Sequence, residues 1–182
     1  IGGDGYSDGF VCNETCEGSL SGTDCETSIT IELHEGSNLI SFYVLPEDNS
    51  VGNVLTFDTI DAIAGEGEAA MNTDNGWVGS LTTLYYENGY WLLINEETTL
   101  NLTGIPIPSD ELYELHAGNN LISYPLIECG SIDEVLPDDV EECIYAIAGA
   151  GTAAMNTDAG WMGSLTLLCP TDGYWFVNQS DD

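Results

Sequence analysis

A chain of 182 residues with 32 acidic side chains and no lysine or arginine carries a formal net charge of −32. It has no amine or guanidinium side chain with which to hold a phosphate backbone or an anionic lipid surface, which argues against nucleic acid and acidic membranes as partners. Hydrophobic residues make up 43% of it, enough for a folded core, and no apolar run approaches the ~18 residues of a membrane span.

Residues 1–27 are acidic, glycine-rich and contain Cys12, Cys16 and Cys25. The sequence opens without Met or a basic-then-apolar leader, and so reads as a mature chain or a fragment. Residues 28–105 follow as a first module. "TIELH" and "NLISFYV" are β segments on either side of Gly36, and their closeness predicts a hairpin with a short loop. "SVGNVL" predicts one or two helical turns with Ser50 as N-cap. "AIAG" is a short buried strand. "AAMNTDNGWVGSL" at 69–81 is a polar cluster ending in Gly and Trp. "GYWLLI" is an aromatic strand opened by Gly, and "TTLNLTG" alternates like one more strand.

Residues 106–182 repeat this order. "AAMNTDAGWMGSL" at 153–165 differs from its counterpart at only two of thirteen positions. "YELHAGNNLISYPL" matches "IELHEGSNLISFYVLP", "SIDEVLP" matches "SVGNVL" with Ser131 as N-cap, and "TDGYWFVN" matches "ENGYWLLIN". The offset drifts from 82 to 84, as loops permit. The reading is all-β, with one short helix per repeat: two tandem homologous modules, each a sandwich or barrel. "TTLNLTG" has no counterpart after "GYWFVN", which leaves an edge for another molecule's strand to fill, with residues 1–27 as linker or donor.

The six cysteines are Cys12, Cys16, Cys25, Cys129, Cys143 and Cys169. They lack the paired spacing of a zinc site, so disulfides in an oxidising compartment are expected. Three lie in the N-terminal segment and three in the second module. Odd groups cannot both close internally, so one bridge joins them or a thiol is left over. Cys129–Cys143 is the natural local pair.

"LHEGSNLISFYVLPEDNSVGNVL", followed downstream by "GWVGSL" and "NGYWLLI", resembles the tandem modules of about 80 residues in secreted and surface proteins of marine and other environmental prokaryotes, across residues 28–178. The resemblance implies an extracellular, β-rich, modular protein with no catalytic activity tied to it. "GGDGYSDGFVC" is similar to thrombospondin type 3 calcium repeats, with Asp4 and Asp8 fitting the pattern and Gly2 departing from it.

Calcium is the one cofactor to consider, with Asp4, Asp8, Asp74 and Asp158 as candidate ligands, although a hard cation wants six to eight oxygens. Asp74 and Asp158 are equally explained as turn residues before Gly76 and Gly160. Trp77, Trp161, Trp91 and Trp175 are candidate glycan-stacking residues. Adjacent aromatics in "GYW" face opposite sides of a strand, so one of each pair belongs to the core. Asn13, Asn101 and Asn178 head glycosylation sequons. No nucleophile elbow, zinc motif or lysine points to catalysis, and His34 and His116 read as sheet histidines. The expected function is an extracellular structural subunit of a filament, sheath or surface layer, associating with copies of itself. The alternative is a carbohydrate-binding or adhesive module of a larger cell-surface protein.

Overall fold

A computed structural model describes residues 26–108 and 111–178. The chain is all-β. Alternation of apolar and polar residues builds the first long pair: β1 (Thr27–Leu33) turns Ile29, Ile31 and Leu33 inward, and β8 (Thr98–Pro106) does the same with Leu100 and Leu102. On the outer side their partners bond in rungs: Ser28 with Thr103, Thr30 to Asn101, and Thr99 to Glu32, at 2.8–3.0 Å.

Between β1 and β8 lie β2 (Gly36–Ser41), β3 (Val44–Leu45), α1 (Val51–Val54), β4 (Ile60–Ala64), β5 (Ala69–Thr73), β6 (Gly76–Gly79) and β7 (Gly89–Ile94). They form two sheets, β1-β8-β3 and β2-β7-β4-β5-β6, around one core that includes Phe42, Ile60, Leu84, Tyr90 and Leu92. The expected β1–β2 hairpin does not form, because each strand pairs elsewhere and the chain crosses from one sheet to the other at His34–Gly36. Buried Asn38 fixes that crossing. Its Oδ1 accepts the His34 N–H at 3.0 Å and its Nδ2 donates to His34 O at 2.8 Å.

The second module repeats the five-stranded sheet as β9 (Gly118–Ile122), β11 (Ile144–Ala148), β12 (Ala153–Thr157), β13 (Gly160–Gly163) and β15 (Tyr174–Asn178), in the order β13-β12-β11-β15-β9. Asn120 repeats the role of Asn38. Two short helices, α2 (Ile132–Val135) and α3 (Asp138–Glu141), stand where one was expected. Ser50 and Ser131 occupy N-cap positions without a capping hydrogen bond, and the Ser131 hydroxyl donates to Glu134 instead.

A small ladder, β10 (Gly130–Ser131) with β14 (Leu167–Leu168), completes the second module. It corrects the expected cysteine pairing. Gly130 lies opposite Leu168, so Cys129 and Cys169 meet and form the disulfide, and Cys143 is exposed after α3. Cys12, Cys16 and Cys25 lie outside the described residues.

Candidate functional site

The nearly identical stretches form β5–β6 and β12–β13. Asp74 and Asn75 make the turn at negative φ, and Gly76 follows at φ 95°, a conformation glycine adopts without a Cβ penalty. Asp was expected to hold this turn, but Thr73 does so. Its hydroxyl donates to Gly76 O at 2.7 Å and accepts the Asn75 N–H, as Thr157 does with Gly160 and Ala159. Because only the backbone of position 75 is used, alanine serves equally at 159. The Asn72 and Asn156 amides donate to Phe57 O and Ile60 O, and to Glu141 O and Ile144 O, at the entrances of β4 and β11.

Asp74 and Asp158 are exposed at the tips of separate hairpins, and no group of three or more potential metal ligands occurs among the described residues. Asp4, Asp8 and Asn13 lie outside the described residues. Asn101 is exposed on β8, whereas the Asn178 amide donates to His116 O at 3.1 Å.

The four tryptophans divide by face. Trp77 and Trp161 pack on the cores, and their indole N–H groups donate to Leu55 O and to Glu141 Oε1. In "GYW", Tyr90 and Tyr174 are the core residues. Trp91 and Trp175 are half-buried on the outer face. Burial pushes the Tyr90 phenol up to about 12, its hydroxyl accepting the Tyr85 N–H.

The two modules contact each other reciprocally. Ser41 N–H donates to Thr171 O at 2.8 Å, and Ser123 N–H donates to Glu87 O at 3.0 Å. Ile40 bridges Asp172, and Ile122 bridges Asn88. These residues occupy equivalent positions, so the contact is isologous and the halves are related by a pseudo-twofold axis. The glycines of both "GYW" segments, Gly89 at the start of β7 and Gly173 just before β15, have no room for a side chain. A Cβ on Gly89 would lie 2.8 Å from Ile122 O, and one on Gly173 2.6 Å from Ile40 O.

A cleft of about 270 Å3 opens on this boundary, lined by Glu66, Glu68, Asn88, Glu114, His116 and Ile122 among others. Glu66 spans it. Its Oε1 lies 2.6 Å from His116 Nε2, and its Oε2 accepts the Leu121 N–H at 2.9 Å. His116 Nδ1 lies 2.9 Å from Ala117 O. Both partners of the ring are acceptors, so only the imidazolium satisfies them together. The Ala117 carbonyl, then the Glu66 carboxylate, hold the His116 pKa above its ordinary value. With no lysine or arginine present, this is the one side-chain ion pair among the described residues. Its chemistry is that of a clamp, since both carboxylate oxygens and both ring nitrogens are engaged.

The sequence alone did not single out Glu66, and it left His34 and His116 as sheet histidines. The pseudo-twofold mate of the clamp lacks its acid, because Ala150 stands where Glu66 does, and His34 Nδ1 meets Glu35 O. That Glu-to-Ala difference directly after the matching "AIAG" stretches was the available signal.

Two further surfaces follow from register. On the outer face of the first five-stranded sheet, Leu93, Ala62, Met71 and Val78 stand opposite one another in a row, with Met71 63% and Val78 62% exposed. Val177, Ala146, Met155 and Met162 make the same row in the second module. The other is the segment 111–116. Residues 111–116 alternate between half-buried and exposed, as a strand would, yet no strand pairs with them among the described residues. Val44 is fully buried beside β8, whereas its counterpart Leu126 is 48% exposed.

No family model, curated protein or solved structure matches this chain. No helix among the described residues is long and apolar enough to cross a membrane.

Proposed function

We propose that the chain is an extracellular structural protein, a subunit that associates with copies of itself into a filament, sheath or surface layer. The observation that carries this reading is the duplicated apolar row, Leu93-Ala62-Met71-Val78 and Val177-Ala146-Met155-Met162. On a surface this acidic, a contiguous uncharged row with exposed Met71, Val78 and Leu93, and Met155 and Met162 in its copy, marks a place where protein meets protein. The pseudo-twofold gives each molecule two such rows, and a subunit with two self-complementary faces builds an open chain. The Cys129–Cys169 disulfide and the resemblance of the "NLIS" and "GYW" segments to surface modules support an extracellular setting. Charge opposes association at net −32, so assembly depends on screening by salt or on divalent cations condensed on the carboxylates.

Light scattering and electron microscopy across salt and Ca2+ concentrations test this. Large particles are expected at high ionic strength, and the double substitution Met71→Glu with Met155→Glu is expected to leave folded monomers. A wild type that stays monomeric under all conditions defeats the proposal. Glycan binding lost on Trp91→Ala and Trp175→Ala, with the monomer unchanged, favours the adhesive alternative.

A further inference from the structure

The pseudo-twofold relates the two apolar rows, but the charges around them do not obey it. Residues 59–87 of the first module carry Asp61, Glu66, Glu68, Asp74 and Glu87. At the equivalent places in 143–171 the second module has Tyr145, Ala150, Thr152, Asp158 and Thr171. Asp158 is the one acid in that stretch of a chain with net charge −32.

The differences fall beside the row. Asp61 lies in the bulge of β4 next to Ala62, and Tyr145 takes that place in β11, 46% exposed. Glu66 and Glu68 stand in the turn between β4 and β5, at the end of a second row on the same face, Trp91-Ala64-Ala69. In the second module that row is Trp175-Ala148-Ala153, and the turn beside it holds Ala150 and Thr152. The outer face of the second sheet is therefore two uncharged rows side by side, with Asp158 at the tip of the β12–β13 hairpin.

The second module keeps its acids elsewhere. They gather between Glu128 and Glu142, on and around α2 and α3. Ile132 of α2 shares a core with Ile147 and Phe176, and Glu141 of α3 accepts the indole N–H of Trp161, which packs on that core. Alternation puts Ala146, Met155 and Met162 on the opposite side of the sheet. The module is polarised, with carboxylates on its helical side and a neutral apolar face on the other.

We infer that two copies of this chain join first through the outer face of the second sheet, second module to second module, and that this dimer is the unit from which larger particles grow. The inference rests on the reading of the chain as a self-associating subunit, and it assigns the face that acts first.

Like-charged molecules repel, but salt confines the repulsion to about 8–10 Å, so the carboxylates at the contact decide which faces meet. A first-to-first contact sets Asp61 and Glu68 against their own copies. A first-to-second contact buries them against a face with no cation to compensate, which costs desolvation. A second-to-second contact brings in only Asp158 and turns α2 and α3 away from the partner. Methionine adapts to an imperfect fit, and Met155 and Met162 are the exposed large residues there. The contact is isologous, so it closes at two copies. The first-module faces stay free on the dimer, and their acids postpone further growth to higher salt or added divalent cations.

Sedimentation of the full chain across a salt series tests the order. Dimers are expected at lower salt than larger particles. Met155→Glu is expected to weaken the dimer by about tenfold or more, because it sets like charges face to face. Met71→Glu is expected to leave the dimer unchanged and to abolish the larger particles. Both side chains are exposed, and circular dichroism checks that each variant is folded. A dimer lost in Met71→Glu and kept in Met155→Glu, equal weakening by both, or large particles without a dimer at any salt concentration overturns the inference and leaves self-association standing. A wild type that is monomeric throughout overturns self-association and this inference with it.

A second set of variants moves charge alone. Tyr145→Asp with Thr152→Glu gives the second module the charges of the first. It is expected to raise the salt concentration at which dimers form, whereas Glu68→Thr is expected to lower the concentration at which dimers join. A dimer midpoint unmoved by Tyr145→Asp with Thr152→Glu overturns the inference.

Discussion

His116 Nε2 lies 2.6 Å from Glu66 Oε1, and the two residues belong to different modules. The carboxylate that receives this contact also holds the Leu121 N–H, so one side chain of the first module grips both a side chain and the backbone of the second.

This clamp makes the boundary pH-dependent. The His116 pKa is raised above 6.5 in the folded chain, so its contribution is fully present below the unfolded value and is lost as pH rises through the folded value. Glu68 and Glu114 line the same cleft. Melting temperature between pH 5 and pH 9 is the measurement. Glu66→Ala, which copies Ala150 of the second module, is expected to flatten the fall in stability that the wild type shows across this window.

The glycines at the boundary have no room for a methyl group. Gly89→Ala and Gly173→Ala each drive a Cβ against a carbonyl of the other module, at 2.8 and 2.6 Å. Each is expected to cost about 1–3 kcal/mol, the scale of overpacking, and to loosen the boundary first. Gly52→Ala is the control. Its Cβ meets only Trp77 at an ordinary 3.6 Å, and in α1 it is expected to stabilise by about 0.5–1 kcal/mol. Urea unfolding of the three variants separates these outcomes.

Asp172 occupies the place that Asn88 fills on the other side of the axis. Burial raises its pKa above 3.8, against the lowering effect of the Tyr174 hydroxyl. A raised carboxyl pKa favours folding with the proton bound, and that contribution fades as pH climbs through the folded value. Asp172→Asn is therefore expected to raise the melting temperature at pH 7 and to change it little at pH 3, as read by calorimetry.

Asn38 and Asn120 are buried and fully engaged where the chain changes sheets. Removing either amide leaves a backbone N–H and carbonyl unsatisfied. Asn38→Ala and Asn120→Ala are each expected to cost about 1–3 kcal/mol in denaturant unfolding. The loss should fall in the module that carries the substitution.

Much of the fold was legible because it rests on local period. That one of Tyr90 and Trp91 faces inward follows from alternation alone, and the duplication located β9, β11 and β15, whereas β12 and β13 fall in a stretch that reads as a polar cluster. Pairing across distance was not legible. Nothing near Ile29 shows that its partner is Leu102 rather than a residue of β2. Cys129 meets Cys169 only because two two-residue strands pair, and strands that short carry no pattern. The apolar row is hidden for the same reason, since Leu93, Met71 and Val78 are scattered until register lines them up. The clamp could have been read from the copies, by asking why Glu66 is matched by Ala150.

A contact in which each half offers the other the same patch is the contact of a homodimer. Here the two protomers are covalently one, joined through the segment after β8. Fusion releases a symmetric pair from the obligation to change on both sides at once. One half carries an acid at Glu66 where the other carries Ala150, and the Cys129–Cys169 bridge belongs to a single half. A lone ancestral module would have had to accept each such change twice in the same complex. The joined chain can keep its old symmetric seam as scaffold while its two faces become different tools.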